Sequence, residues 1–468
     1  MPIANSLAYT MLVLWPFVSW ILFTKLDPAR ALIWTVLGAY MLLPPVIAID
    51  IPMVPGFNKY VVANLSATAA VVFLLKQRVE FLPQSTLGRT LIVVFILSPF
   101  ATVLTNGDQI WFQASMLPAM RIYDSVAVVT NQVIALLPFL LARKLLATED
   151  AMRAIIVALM AAGLVYSLPM LWESRMSPQL NLMFYGYFQH DFSQAMRYGS
   201  FRPFVFMPHG LWVAFFGMMT FVASVVIMRV GPAMSRPRQF VVAGYLFIVL
   251  LLCRSTGPLI YAALLVALIL LVSRRWQVLF AAAMVAVVIA YPLLRGLHLV
   301  PVDDILNFAM SLNEDRGRSL AFRIRSEELL LVRAEERPWF GWGNYGRGML
   351  HDPVTGQINV IADGGWIIVL GMFGWFGYIG MFGLLSLPVA LMAREAWRQS
   401  SDAISPYAAG VVLILAANLF DLLPNDTIVA FTWLMAGAVL GHAEMLRAKR
   451  KAPDAAPPVP LRSQRTIL

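Results

Sequence analysis

Apolar stretches long enough to cross a lipid bilayer recur along almost the whole of this chain, and they dictate what it can fold into. A hydrocarbon core about 30 Å thick takes roughly 20 apolar residues of α-helix, which pairs every backbone N–H and C=O internally. On that scale thirteen stretches qualify, near 6–24, 31–49, 60–75, 87–105, 125–142, 152–171, 205–228, 239–253, 256–273, 276–294, 364–393, 406–423 and 427–446. The eighth is short, and the eleventh is long enough to tilt strongly or to run past the bilayer. The expected fold is an all-α polytopic membrane protein with about 13 transmembrane helices, within a range of 12–14. Composition agrees: 60% of the 468 residues are apolar and 13% are charged, against about 45–50% and 25% in soluble domains. That excludes an ordinary soluble enzyme, a disordered chain and a disulfide-stapled secreted domain. Cys253 is the only cysteine, so no internal disulfide and no Cys-based zinc pattern is available. Met1 to Asn5 lacks the positive flank of a cleavable signal peptide.

The net charge of +10 is informative once mapped by side. Alternate loops carry Lys25 and Arg30; Lys76, Arg78 and Arg89; Arg143, Lys144 and Arg153; Arg229, Arg236 and Arg238; Arg274 and Arg275; Arg394 and Arg398. The positive-inside rule makes these loops cytoplasmic, which puts the N-terminus outside and the C-terminus inside. The tail 447–468, basic and then Pro/Ala-rich, reads as disordered; its charge anchors topology and is suited to anionic lipid. The bilayer, not nucleic acid, is the expected partner of this charge.

The spans divide the chain into N-terminal helices (1–171), a first long outward loop (172–204), central helices (205–294), a large outward loop with amphipathic helices (295–363) and C-terminal helices (364–446). Both long loops far exceed a bundle connection, which marks them as functional. Nearly all outward positive charge is arginine, with Lys59 the exception; the planar guanidinium fork suits phosphate and carboxylate. Residues Ser319 to Arg337 read as a helix carrying an Arg323/Glu327 pair at i,i+4. Pro338 ends it, and Gly341-Trp342-Gly343 makes an aromatic turn suited to headgroup level, with Trp339 and Trp342 as interface anchors or sugar platforms. The span middles hold almost no ionisable residue and the halves show no repeat, unlike ion-coupled transporters. The expected chemistry therefore lies at the outer face.

Four motifs follow one another along the second half. Arg197 and Arg202 precede Pro208-His209-Gly210 at a span entry. Arg254-Ser255-Thr256-Gly257 opens the ninth span. Arg323 lies on a helix that ends in Pro338, Gly341 and Gly343. Asp363-Gly364 comes before Gly374 and Gly377. In order and spacing, residues 195–380 resemble the O-antigen ligase and O-antigen polymerase superfamily of membrane glycosyltransferases, which have a GT-C-like fold. Two departures stand out. Asp363 occupies the position where the ligases carry His, and the Ser-Arg pair is reversed to Arg254-Ser255. Some polymerase-like members have an acidic residue at the first of these positions, which favours a polymerase.

The resemblance implies a metal-independent, cofactor-free glycosyltransferase of the bacterial inner membrane, with its N-terminus and both long loops periplasmic, whose donor is an undecaprenyl-diphosphate-linked glycan. The acceptor glycan would be a lipid-linked repeat unit, giving an O-antigen or exopolysaccharide, with a chain-length regulator and a flippase as possible partners. The alternatives are a ligase that moves the glycan to lipid A-core or protein, and a lipid-linked oligosaccharide flippase or other transporter. The expected catalytic residues are Asp363, Arg202, Arg254 and Arg323; Arg197, Arg325, His209, Glu327, His351, Arg316 and Arg318 are expected to bind substrate. Arginines would stabilise charge on the leaving diphosphate, and a carboxylate or His would take the acceptor proton. Plainer roles stand beside these: Arg202 as a loop anchor, Arg254 as an interface anchor, Arg323 paired only with Glu327, His209 as a structural histidine, and Asp363 as a helix cap. Asp303-Asp304 is the one adjacent Asp pair that a metal reading would use, and it equally suits a loop or helix cap.

Overall fold

A computed structural model of the chain describes residues 4–51, 55–79, 82–197, 199–312 and 314–451, apart from the side chains of Leu312, Asp315 and Arg316. The expected contribution of Arg316 therefore lies outside the described side chains. The helices are α1 (Ser6–Lys25), α2 (Pro28–Leu42), α3 (Lys59–Ala69, continued by a π-helical turn to Leu74), α4 (Thr86–Leu104), α5 (Ile122–Leu145), α6 (Glu149–Met176), α7 (Leu180–Tyr185) and α8 (Gly210–Val230). They continue with α9 (Arg236–Leu252), α10 (Thr256–Leu271), α11 (Arg274–Gly296), α12 (Val302–Leu312), α13 (Glu314–Glu335), α14 (Gly365–Arg398), α15 (Pro406–Asp421) and α16 (Ala430–Lys451). Only three two-residue hairpins interrupt this all-α architecture among the described residues. Each of the thirteen apolar stretches carries a helix. Eight helices are long and apolar enough to cross a membrane, namely α1, α4, α5, α6, α8, α9 with its preceding turn, α11 and α14; α2, α3, α10 and α15 are shorter apolar helices. The molecule is a multi-pass helical membrane protein.

Local chemistry sets the ends. Asn5, Asp27, Asn58, Ser85 and Thr148 accept backbone N–H bonds as N-caps. The second apolar stretch stops being helical at Leu42, just ahead of Pro44-Pro45. The seventh starts helical structure only at Gly210, because 203–209 is drawn into a loop. Helix α13 begins five residues earlier than the expected 319. Helix α16 runs to Lys451, so the first residues of the expected disordered tail are helical, and 452–468 lie outside the described residues.

The bundle has two chemically distinct ends. At one, the basic connections are fastened by Arg143–Glu444 (2.8 Å), Arg274–Asp402 (2.8 Å) and Arg450–Glu395 (2.9 Å). At the other, Asn5 donates to the carbonyl of Phe184, which brings the N-terminus beside the segment joining α6 to α8. That segment and the one joining α11 to α14 meet at this second end.

Candidate functional site

The site is built on a strap, residues 202–209, that a few buried polar side chains hold in place. Glu173, in the last turn of α6, accepts the backbone N–H groups of Leu180 (2.9 Å), Phe204 (2.7 Å) and Val205 (2.7 Å). Gln189 Nε2 donates to the carbonyls of Val205 and Met207, each at 3.0 Å. Lys59 Nζ donates to Phe206 O (3.0 Å) and, across the C-terminus of α2, to Tyr40 O and Leu43 O. With its carbonyls and N–H groups occupied, the strap presents Arg202 at one end and His209 at the other.

Both border a cavity of about 380 Å³, together with Arg197, Arg254, Ser255, Tyr261, Arg323, Asp421 and Asn425. Arg202 is 3% exposed and has no carboxylate partner among the described residues. Its Nη2 donates to Ser255 Oγ at 2.6 Å, and its Nε has no partner. Burial, reinforced by the nearby Arg197 charge, lowers its pKa to about 10, so it remains cationic at neutral pH. It lies across the first turn of α8, where a Cβ on Gly210 would come 2.6 Å from its Nε; only glycine leaves room. Arg254 joins α9 to α10 with φ of 51°. That left-handed backbone costs a non-glycine residue about 1–2 kcal/mol, and it brings a half-buried guanidinium to the cavity with no hydrogen-bond partner among the described residues. Arg197, in the hairpin ahead of the strap, is exposed at the rim.

Arg323 reaches the cavity from α13. Its Nε lies 3.3 Å from Asp363 Oδ2, and its Nη1 donates to Asn425 Oδ1 at 3.3 Å. This replaces the expected i,i+4 pairing with Glu327, which points instead to Trp366 and accepts its Nε1–H at 3.4 Å. Burial raises the Glu327 pKa to about 7. The cap reading of Asp363 is also overturned. Gly364 is the N-cap of α14 and no side chain bonds there; the first N–H groups of α14 go to the carbonyls of Asn425 and Leu422. Asp363 touches the cavity through Arg323 rather than lining it.

The remaining expected residues lie elsewhere. Arg325 is exposed on α13, and Arg318 pairs with Glu314 one turn earlier. His351 stacks on Phe112 (5.2 Å between rings), and its Nδ1 bonds Met349 O at 3.0 Å, away from the cavity. Asp303 and Asp304 occupy the first turn of α12. Trp342 is 6% exposed and packs against two guanidiniums, with Arg333 at 3.4 Å and Arg337 at 4.3 Å from the ring centre, so it is no interface anchor. Trp339 is 62% exposed and free for that role.

Sequence reasoning passed over Asp421, the carboxylate that lines the cavity. It is buried at the C-terminal end of α15 and accepts from Asn425 Nδ2 (3.0 Å) and Thr427 Oγ1 (2.8 Å). Its one signal was a charge at the end of an apolar stretch. Ser255 was visible as half of the reversed Arg254-Ser255 pair, though not as the partner of Arg202, and Glu173 gave no signal, since a glutamate is not unusual where it stands. The outcome is four guanidiniums on three separate stretches facing one lining carboxylate, an arrangement complementary to an anion. No family model matches the chain, and no curated protein matches it closely enough to lend it a family.

Proposed function

We propose that the protein is a polysaccharide polymerase that transfers a glycan from a polyprenyl diphosphate to a hydroxyl of a lipid-linked repeat unit at the periplasmic face of the inner membrane. One observation carries this reading: Arg197, Arg202, Arg254 and Arg323 converge on a single cavity, and the most deeply buried of them, Arg202, has no counter-ion among the described residues. A buried cation without a carboxylate is costly unless an anion completes it. A diphosphate is such an anion, and its charge grows as the bond from the anomeric carbon to the phosphate oxygen breaks. Guanidiniums fixed by Ser255, Asn425 and the strap need no reorganisation as that charge develops.

The acceptor hydroxyl must lose its proton as its oxygen attacks the anomeric carbon. Asp363, beside Arg323 and with 32% of its side chain open, is assigned as the base; Glu327, one turn beyond Arg323 along α13, is the alternative. The reaction needs no metal in this scheme, because arginines do the electrostatic work a cation would do. The test is to incubate the purified chain with a lipid-linked repeat unit in the presence of EDTA. A ladder of products supports a metal-independent polymerase. One transfer to a second acceptor makes it a ligase, no transfer refutes the reading, and rescue by Mg²⁺ refutes metal independence.

A further inference from the structure

His209 serves the fold and the cavity with different atoms. Its Nδ1 accepts the backbone N–H of Leu211 at 3.1 Å and caps α8. A ring nitrogen that accepts carries no proton, so the neutral imidazole holds its hydrogen on Nε2. The same residue lines the cavity, and its Nε2 has no hydrogen-bond partner among the described residues. Aromatic rings fix its plane: Phe204 lies 5.0 Å away and Trp212 6.3 Å away, both edge-on.

We propose that His209 is a neutral Nε2–H donor, locked in that tautomer by the start of α8, and that it binds an oxygen of the diphosphate beside Arg202. The inference rests on the diphosphate reading above and adds direction to it. Arginines supply charge, whereas a single N–H on a fixed ring selects where one oxygen sits. His209 is thereby removed from the list of possible bases, since its accepting nitrogen is already used. Its surroundings keep it neutral. Arg202 faces it from the strap, Arg197 from the hairpin ahead of it, His190 from the loop after α7 and Arg323 from α13; Arg254 and the one lining carboxylate, Asp421, complete the cavity. Burial first, and then these cations, push its pKa down to about 3.

Two substitutions separate the roles. Asparagine reproduces the Nδ1 position and keeps the cap, while glutamine reaches the Nε2 position and keeps the donor. With the full chain in detergent and farnesyl diphosphate as the probe, His209→Asn should unfold near the wild-type temperature but bind about ten- to a hundredfold more weakly. His209→Gln should bind within a few-fold of wild type and unfold at a lower temperature. The reverse pattern overturns the proposal. In the wild type, imidazole ¹⁵N shifts should report the Nε2–H tautomer from pH 5 to pH 8, and a titration inside that range also overturns it. A locked tautomer in a wild-type protein that binds no diphosphate sinks the diphosphate reading, and with it the ligand assigned to His209.

Discussion

Arg202 is the residue on which charge and geometry can be told apart. Lysine keeps its charge but loses the planar fork, so Arg202→Lys should fail almost as badly as Arg202→Ala, with about 10²–10³ lost in the rate of chain formation. Gly210→Ala keeps every charge in the site, yet its Cβ would occupy the space of Arg202 Nε. Initial rates of ladder formation should fall in that variant while it remains folded. A fully active Arg202→Lys would leave Arg202 as a point charge or a loop anchor. Glu327 is the complementary case. Its folded pKa, near 7, lies above the ordinary 4.5, so the folded state holds a proton that the unfolded state has released between those values. The resulting stability is complete below about pH 4.5 and is lost as pH rises through 7, on the order of 3 kcal/mol in all. Glu327→Gln should therefore flatten the fall in unfolding temperature between pH 5 and 8. If Asp363 is the base, Asp363→Asn abolishes transfer and Glu327→Gln retains it. The opposite result, with a wild-type rate that rises through pH 7, moves the base to Glu327.

At the scale of elements, the two glycine motifs turn out to be halves of one joint. Helix α14 breaks at Gly374, where φ is 62° and ψ is −163°. The turn after α13 fills the break: Trp342 N–H bonds Gly371 O (2.9 Å), Gly343 N–H bonds Met372 O (2.8 Å), and Trp375 N–H bonds Pro338 O (2.8 Å). A spanning helix tolerates such a break only when its freed carbonyls find partners, and here the turn supplies them. A Cβ on Gly374 would lie 2.4 Å from the backbone carbon of Trp339, which cannot move without opening the joint. Gly374→Ala should lower stability by more than about 2 kcal/mol, read as a drop in unfolding temperature. Because the joint ties the end of α13 to α14, it also sets Arg323 against Asp363, so activity should fall with it. Order and spacing made both motifs visible in the sequence. That they grip each other's backbone was not, since no side-chain chemistry announces it.

At the scale of the molecule, the basic connections gather at one end of the bundle and the arginine-lined cavity opens at the other. Reporter fusions at Arg236 and Arg394 should read cytoplasmic, and fusions at Gln189 and Gly356 should read periplasmic. A cytoplasmic reading at either of the last two would put the cavity on the wrong side for the proposed donor.

Hydropathy alone determined that this is a helical membrane protein and where its helices run, because hydrogen bonding within lipid is settled locally, one segment at a time. Motif order also picked out Arg202, Arg254, Arg323 and His209, four residues that do meet around one cavity. The tertiary structure decided the pairings. Arg202 meets Ser255 across 53 residues, and Arg323 meets Asn425 across 102. Asp363 pairs with Arg323 and does not cap α14, Glu327 turns inward to Trp366, and His351 drops out of the site. A charged residue's partner is chosen by which helices pack together, and spacing along one helix carries no record of the others.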